Sequence, residues 1–565
     1  MLIGLDVGGT YTDAVLLDEN AWQGKDAPYV KAVKAPTQAD SVLPGVLRAL
    51  EEVLEGEDPN AVKRVCVSST LGLNALLTGR EDPTGVLAVP GPGMDPALFW
   101  GEGDNLRILS GAEDHRGIAV APLDPGAARQ ALRAFAAQGI AACAVVGKFS
   151  PKNPEQEYAL RDLARQELGP DAPVACGSDA SGALNFPRRL HTAYCNASLT
   201  RTAGRFASAL DEAAKRLRLN CPIVIMKADA GVFSNAEAAG EPAAAMGSGP
   251  AASLMGVLAL LPFPGGRSPR DLLMVDMGGT STDLALLAHG QPLLAREGLR
   301  VAGRPTLIRS LWTRSIALGG DSVLAWDEGK PRVGPDRLGP ALALAPEDLG
   351  QRPPTLTDAL VVLGRARLGR PEAAQAAMDA LDAEAGRKDG ARAFVDAALD
   401  RIRQEAESLL AEVNTRPVYT IRELLVTETL APEAAVLIGG PAGAMAPLAE
   451  TALGMPVLVP PAAACANALG AALARPTRTA DLYADTLRGR MSMTALGIEK
   501  SIDHRYGLGE AKRDILAALA EEGCDPAQLV FAESFRILDE RQGRGSIIKI
   551  RAQRPAGLLR ERERP

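Results

Sequence analysis

Ile3-Gly4-Leu5-Asp6-Val7-Gly8-Gly9-Thr10-Tyr11-Thr12-Asp13 lies near the start of the chain, and Met274-Val275-Asp276-Met277-Gly278-Gly279-Thr280-Ser281-Thr282-Asp283 repeats its pattern 270 residues later. Asp6/Asp276, Gly8/Gly278, Gly9/Gly279, Thr10/Thr280, Thr12/Thr282 and Asp13/Asp283 are identical pairs. Each copy is an apolar run ending in Asp, a Gly-Gly step, hydroxyl residues, and a second apolar run (Ala14 to Leu17; Leu284 to Leu287). That pattern predicts a β-hairpin. Glycine suits its turn because it supplies φ > 0 and lets a ligand approach the backbone closely.

Gly-Gly amides beside Thr hydroxyls make a concave donor array matched to phosphate oxygens. A carboxylate at the end of the first strand suits a Mg²⁺ ion that keeps most of its waters. One copy of Asp-x-Gly-Gly-Thr reads equally well as a tight hairpin and nothing more. Two copies in like context, each running into Thr-Asp, point to a paired nucleotide clamp. Asp6 and Asp276 are then the candidate ligands of metal-bound water. Gly8, Gly9, Thr10, Thr12, Gly278, Gly279, Thr280 and Thr282 would cradle phosphates, acting by position and charge. Asp13 and Asp283 can act as a base or bond the turn, and the structural role is favoured.

A chain of 565 residues is too long for one core and predicts two to four domains. Its 47% hydrophobic and 23% charged residues describe an ordinary globular protein. A net charge of −8, with no long block of Lys or Arg, argues against a nucleic-acid or anionic-membrane partner. Seven cysteines are scattered, with no C-x-x-C pair, and the four histidines are not at metal-ligand spacing. This argues against zinc ribbons or iron–sulfur ligation and fits a reducing cytosol. Met1 leads into a strand without a basic n-region, and the longest apolar stretch, Pro250 to Phe263, is too short to span a bilayer. The expectation is a soluble, cytoplasmic protein.

Along the chain, an edge strand is expected at Tyr29 to Val33. A helix opening at Asp40-Ser41 and running through Leu54 follows, then a buried strand at Val62 to Val67. Ser68-Ser69-Thr70 then turns into a helix, with capping the expected role of at least one hydroxyl. Residues 100 to 185 read as a βαβ-like, substrate-bearing insertion, and Pro187 to Leu219 as a long helix bridging two halves. Lys227 to Gly231 follows a strand, and Met246 to Ser253 opens an apolar helix whose free amides can hold an anion. Leu318-Gly319-Gly320-Asp321 is a further glycine turn, and Val333-Gly334-Pro335 begins a Pro-rich loop. Residues 370 to 413 read as a helical, mostly solvated scaffold. The strand Ala435 to Ile438 ends in Gly439-Gly440-Pro441, and Ala462 to Leu473 is a small-residue helix able to pack closely against a neighbour. Residues 476 to 565 read as a smaller α+β tail with a frayed end.

Duplicated phosphate hairpins with a late strand, Gly-Gly-Pro turn and helix resemble the actin, hexokinase and heat-shock chaperone superfamily. The more specific resemblance is to the hydantoinase/oxoprolinase A-type family. It is carried by the two hairpins, Ser69-Thr70 with Asn74-Ala75-Leu76-Leu77, Phe149-Ser150 with Asn153-Pro154 and Glu157, and Thr192 with Asn196-Ala197. Further along it is carried by Ser248 to Ala252, Gly319 to Ser322, Val333 to Pro335, Pro354 to Ala359 and Gly439 to Gly443. The likeness runs in order over roughly residues 1–475 and implies an α/β fold of two RNase H-like, actin-like ATPase domains around a central cleft. The expected division is 1–190, 191–480 and a small C-terminal α+β region at 481–565.

The resemblance implies ATP with Mg²⁺ and the opening of a small cyclic amide such as a hydantoin or 5-oxoproline. The amide oxygen would take the γ-phosphoryl group. It makes a separate B-type subunit plausible. A small-molecule kinase, a carboxylase-type ATPase subunit and an ATP-switched assembly protein are the alternatives, and a homo-oligomer is possible. Gly319 and Gly320 join the phosphate cradle, and Gly439, Gly440 and Pro441 would receive the adenosine or simply start a helix. Ser69, Thr70, Asn74, Lys227 and Asp229 are candidates on the substrate side, the last two reading equally as a surface pair. The family's usual Ser-Asn-Gly-Gly stands here as Ala228-Asp229-Ala230-Gly231, and its Pro-Gly-Pro-x-Cys-Tyr stretch is absent after Pro335.

Overall fold

The computed structural model describes residues 1–9, 11–19, 29–37, 42–100, 105–261, 270–295, 297–415, 429–539 and 543–559. Thr10 and the expected helix entry at Asp40-Ser41 lie outside them. Both quoted stretches form the expected hairpin in one register. Leu2–Val7 pairs antiparallel with Tyr11–Leu17, placing Asp6 opposite Asp13. Leu272–Met277 pairs with Thr282–Ala288, placing Asp276 opposite Asp283.

Each hairpin centres a sheet of the same plan. In the first, the order is Lys31–Pro36, Tyr11–Leu17, Leu2–Val7, Arg64–Ser69, Ile223–Met226 and Val232–Ser234. Leu2–Val7, Arg64–Ser69 and Ile223–Met226 run parallel. In the second, Thr313–Ile316 pairs with Thr282–Ala288, and Leu272–Met277 continues parallel to Ala434–Ile438 and Val457–Leu458. An antiparallel hairpin extended by two parallel strands, built twice, is the duplicated RNase H-like, actin-like ATPase architecture.

Alternation decides what each strand offers to each side. Ile3, Leu5, Val7, Ala14 and Leu16 pack outward against helices Val42–Leu54 and Phe186–Arg216. Leu273, Val275, Met277, Leu284 and Leu286 do the same against Leu356–Val362, Ala391–Asn414 and Ala442–Leu453. The opposite parity, Leu2, Val15 and Leu17 with Leu272, Met274, Ala285 and Leu287, joins one core between the sheets. Asp6, Asp13, Asp276 and Asp283 share that inner parity. The period that buries these leucines, each worth about 1.5–3 kcal/mol, therefore aims four carboxylates into the layer between the halves.

Two helices fill that layer, Ser248–Leu260 and Ala466–Leu473, and they cross backbone to backbone. A Cβ on Gly256 would stand 2.0 Å from the Ala466 carbonyl oxygen, and one on Gly470 would stand 2.0 Å from that of Ala252. Gly4 of the first strand is similarly pressed against Ala468. The close packing expected of the small-residue helix is thus met by glycines on all three partners.

The inserted unit is a parallel four-stranded sheet in the order Val174–Cys176, Ala142–Gly147, Thr84–Val89, Leu106–Ile108, so it begins at Thr84. Phe186, Leu190, Ala193 and Ala197 of the long helix lie under this sheet, and Leu210, Ala213 and Ala214 under the first sheet. The helix expected to bridge the halves therefore mainly joins the insertion to the first sheet. It meets the second half through His191 Nδ1, 3.0 Å from the Pro305 carbonyl oxygen, and through Thr192 Oγ1, which accepts from the Leu307 amide at 2.8 Å.

Glu157, fully buried, accepts from the Gly147 amide at 2.7 Å, Ser150 Oγ at 2.5 Å, the Ser178 amide at 2.8 Å and Ser178 Oγ at 2.6 Å. It lies 3.5 Å from buried Arg189. The Phe149 to Glu157 motif thus pins the insertion to the long helix.

Two expectations are corrected. Val333-Gly334-Pro335 lies within strand Lys330–Arg337, paired with Ser322–Asp327; in a two-stranded ribbon a proline needs no second ladder partner. Residues 370–413 form helices Pro371–Glu384 and Ala391–Asn414. The second of these buries Phe394, Val395, Ala398, Leu399, Ile402, Leu409 and Val413 in the second core. Helical spacing of those residues makes one face core and only the other solvated.

The C-terminal region is a five-stranded sheet packed on helix Leu508–Glu521. Among the described residues no helix is long and apolar enough to cross a membrane.

Candidate active site

Each hairpin closes through its first glycine: the Gly8 amide donates to the Tyr11 carbonyl at 3.0 Å and the Gly278 amide to that of Ser281 at 2.9 Å. The preceding aspartates are then held from outside their hairpins. Asp6 accepts from Ser68 Oγ at 2.5 Å and from Asn467 Nδ2 at 2.6 Å, and Asp276 accepts from Ser253 Oγ at 2.5 Å. Burial pushes the Asp6 carboxyl up to about 7; the Ser68 bond opposes the rise, and the Asp13 and Asp276 charges add to it. Burial, then the Asp283 charge, lifts Asp276 to about 7. Asp283 is raised to about 6 by burial, with a hydrogen bond from Ser315 opposing. Asp13 is also raised by burial, against its ion pair with Lys34 at 2.7 and 2.9 Å. Four carboxylates packed this closely disfavour one another's charge and favour a cation.

The second glycine of the first turn is open, whereas a side chain on Gly279 of the second turn would begin 2.5 Å from Asp321 Oδ2. Among the described residues the amides of Gly9, Gly279 and Gly440 meet no acceptor. Nothing lies within 4 Å of where a side chain on Gly9 or Gly440 would begin. That leaves donors and space of the kind a phosphate chain requires. Gly439 follows the strand beside Asp276, and a Cβ there would stand 2.2 Å from the Met277 carbonyl oxygen and 2.9 Å from Asp276 Oδ1. Gly319 and Gly320 are buried behind the second hairpin, where the Gly320 amide donates to the Gly278 carbonyl at 3.0 Å and the Asp321 amide to that of Gly279 at 2.7 Å. They back the turn. Pro441 precedes helix Ala442–Leu453, and Thr280 is half-buried at the second turn.

Thr12 and Thr282 are corrected. Both are fully buried on the outward parity, Thr12 Oγ1 sharing a hydrogen bond with Thr37 Oγ1 at 2.9 Å and Thr282 Oγ1 donating to the Leu318 carbonyl at 2.7 Å. Their hydroxyls anchor the hairpins from behind. Among the described residues no three His, Cys, Asp or Glu side chains converge as a metal shell. Asp6 and Asp276, one from each half, are the carboxylates that could face a hydrated hard cation.

Residues 189–480 match the hydantoinase/oxoprolinase family, and residues 2–168 match the hydantoinase/oxoprolinase N-terminal region. The chain belongs to the hydantoinase/oxoprolinase family. It is similar to caprolactamase subunit alpha of Pseudomonas jessenii, 26% identical over 510 residues that cover 83% of this chain and 69% of that protein. The crystal structure of that organism's ATP-dependent caprolactamase superposes with a TM-score of 0.68 at 20% identity, over 100% of this chain and 88% of the other. Nucleotide-free acetone carboxylase superposes with a TM-score of 0.74 at 18% identity, over 99% and 88%. The 5-oxoprolinase of Saccharomyces cerevisiae is 28% identical over 261 residues, 46% of this chain and 19% of the yeast protein.

In this hydantoinase/oxoprolinase chain the other candidates fall into two places. Ser69 lies beside the aspartates, its amide donating to Ser248 Oγ at 3.1 Å and its own Oγ accepting from the Leu71 amide at 3.2 Å. Thr70 at the helix N-cap makes no side-chain cap bond, and Ser69, one residue earlier, holds the first helical amide instead. Thr70 accepts from Asn74 Nδ2 at 3.3 Å, and Asn74 is exposed.

Lys227 and Asp229 are elsewhere, on a polar cavity of about 680 Å³ also lined by Arg188, Thr192, Asn196 and Arg309. Lys227 Nζ donates to the Thr477 carbonyl at 2.6 Å, and Thr477 Oγ1 donates to both Asp229 oxygens at 3.0 Å. A Cβ on Gly231 would stand 1.8 Å from Thr477 Oγ1, so the glycine ending Ala228-Asp229-Ala230-Gly231 is required by this contact. Asp229 is buried and Lys227 half-buried, and both are stitched to the chain leading into the C-terminal region.

Asn467 and Lys34 were not singled out from the sequence, Ser68 was named only as one of three hydroxyls at its turn, and Ser253 only as the end of the Met246 to Ser253 stretch. Asn467 did carry a signal, as the one polar side chain of Ala466–Leu473. Ser253 carried one too, lying on the inward helix that begins at Ser248.

Proposed function

We propose that the chain binds Mg·ATP between its two halves and uses it to activate the carbonyl of a small cyclic amide. The observation that carries this reading is the pair of aspartates, one from each hairpin, facing a common layer beside three unpartnered glycine amides. Bound Mg²⁺ supplies charge neutralisation of the phosphates. Asp6 and Asp276 would hold the hydrated ion, and the amides of Gly9, Gly279 and Gly440 would donate to phosphate oxygens. The halves thereby hold the γ-phosphoryl group in line for the amide oxygen. Transfer to that oxygen, with ADP leaving, turns it into a phosphate leaving group. Water attack at the same carbon then gives a tetrahedral adduct that expels the ring nitrogen, breaking the C–N bond and leaving an acyl phosphate, and a second water releases phosphate and the ring-opened acid.

The relatives acting on caprolactam and 5-oxoproline support a cyclic amide as the substrate class. The name of the first, a subunit, supports a separate partner chain for the hydrolytic step. Acetone carboxylase's likeness over 99% of the chain keeps a carboxylase-type subunit as the second reading.

The test is ADP and phosphate release by the purified chain with Mg·ATP and caprolactam, 5-oxoproline or hydantoin in turn, with product analysis. Ring-dependent ADP release, about tenfold or more above background, is expected. Release that requires bicarbonate and a ketone favours the carboxylase reading, and no stimulation by any ring rejects the cyclic-amide substrate.

A further inference from the structure

The two helices of the central layer each carry one polar side chain to the other half's aspartate. Helix Ala466–Leu473 follows the last strand of the second sheet, yet its Asn467 donates to Asp6 of the first at 2.6 Å. Helix Ser248–Leu260 follows the last strand of the first sheet, yet its Ser253 donates to Asp276 of the second at 2.5 Å. Asn467 Oδ1 accepts from the Ala468 amide at 2.8 Å, which turns its Nδ2 toward the carboxylate. Ser253 is 1% exposed, and its Oγ also stands 3.1 Å from the Gly249 carbonyl oxygen one turn back. The two side chains are fixed relative to one another because Gly256 abuts the Ala466 carbonyl and Gly470 that of Ala252. There is no room for a side chain between the two helices at either glycine.

We infer that Asn467 and Ser253 are positioning residues for the paired aspartates, each half setting the carboxylate orientation of the other through the crossed helices. This rests on the reading of Asp6 and Asp276 as the carboxylates facing Mg·ATP. A carboxylate offers about four lone-pair directions. Ser68 and Asn467 take one on each oxygen of Asp6, leaving the remainder aimed into the cleft. Without the amide, Asp6 Oδ2 loses its fixed donor and the carboxylate turns away from where a hydrated cation must sit. Partners of this kind are worth about 10–100-fold in metal affinity where they have been removed.

The test is calorimetric titration of ATP, with and without Mg²⁺, into the wild type, Asn467→Ala, Ser253→Ala and Ser253→Thr, with the melting temperature of each. The alanine variants are expected to bind metal-free ATP within about twofold of wild type, to lose at least about tenfold of the Mg²⁺-dependent gain, and to melt within a few degrees of it. Ser253→Thr, which keeps the hydroxyl, is expected to restore the gain. Where Asn467→Ala does not fold, Ser253→Ala, which removes a single oxygen, decides. A wild-type Mg²⁺ gain that persists in the alanine variants overturns the inference alone. A wild type with no Mg²⁺-dependent gain overturns it together with the functional reading beneath it.

Discussion

Asp6 and Asp276 stand at equivalent positions of two identically registered hairpins, each directly opposite a second aspartate and each pushed up to about 7. The negative charge of Asp276 contributes to the rise at Asp6, so the two halves are electrostatically aware of each other across the layer that separates them. Neither half assembles this site alone. Hydrogen bonds that orient the two carboxylates come from crossed helices, and the layer in which they meet is an apolar core built from both sheets.

The crossing of those helices leaves no space for a side chain. Gly470→Ala and Gly256→Ala each place a methyl carbon 2.0 Å from a carbonyl oxygen, so each is expected to cost about 3 kcal/mol or more. Gly204→Ala is the matched control: it lies within helix Phe186–Arg216 with nothing within 4 Å of its Cβ direction, and it is expected to gain about 0.5–1 kcal/mol. Urea unfolding of the three variants checks both signs.

The hairpin of Arg300–Val301 and Arg304–Pro305 turns on Ala302 and Gly303, both with positive φ, 48° and 78°. Alanine at the first of these is strained, whereas Gly or Asn is at home in such a turn. Ala302 is exposed, so little packing is lost on replacement. Ala302→Gly and Ala302→Asn are expected to stabilise the protein by about 0.5–1 kcal/mol, read as a higher midpoint in thermal unfolding.

Burial, with the charges of Glu157 and Glu155 adding and that of Arg189 opposing, raises Glu113 from 4.5 to about 7, and its Oε1 has no hydrogen-bond partner. Between these values the folded chain binds more protons at this site than the unfolded chain does, so its contribution to stability falls as pH rises from about 4.5 to about 7. Glu113→Gln removes the titration. It is expected to be more stable than wild type at pH 8, by about 1–3 kcal/mol, and to show a much smaller difference at pH 5. Denaturation at the two pH values measures it.

The duplicated stretch made the hairpins, their glycine turns and the pairing of the halves legible in the sequence, because a Gly-Gly step between apolar runs has few other uses. Strand parity also carried more than was read from it. Thr12 and Thr282 differ by an odd step from Asp13 and Asp283, which places them on the outward face, and that excludes them from the cleft. The partners of the aspartates were only partly legible: Asn467 stands out as the one polar side chain of its helix and Ser253 lies on the inward one, but which aspartate each reaches is set by parallel pairing and helix crossing, and neither leaves a local pattern. Lys227 and Asp229 were ambiguous for the same reason: the residue that buries them, Thr477, lies about 250 positions away.

The most direct measurement is titration of Mg·ATP into the wild type beside Asp6→Ala and Asp276→Ala. The expected result is a wild type whose ATP affinity rises with Mg²⁺, and two variants that each lose that rise by at least about tenfold while remaining folded. A wild type that binds no nucleotide, or variants that bind Mg·ATP as tightly as it does, would contradict the paired clamp.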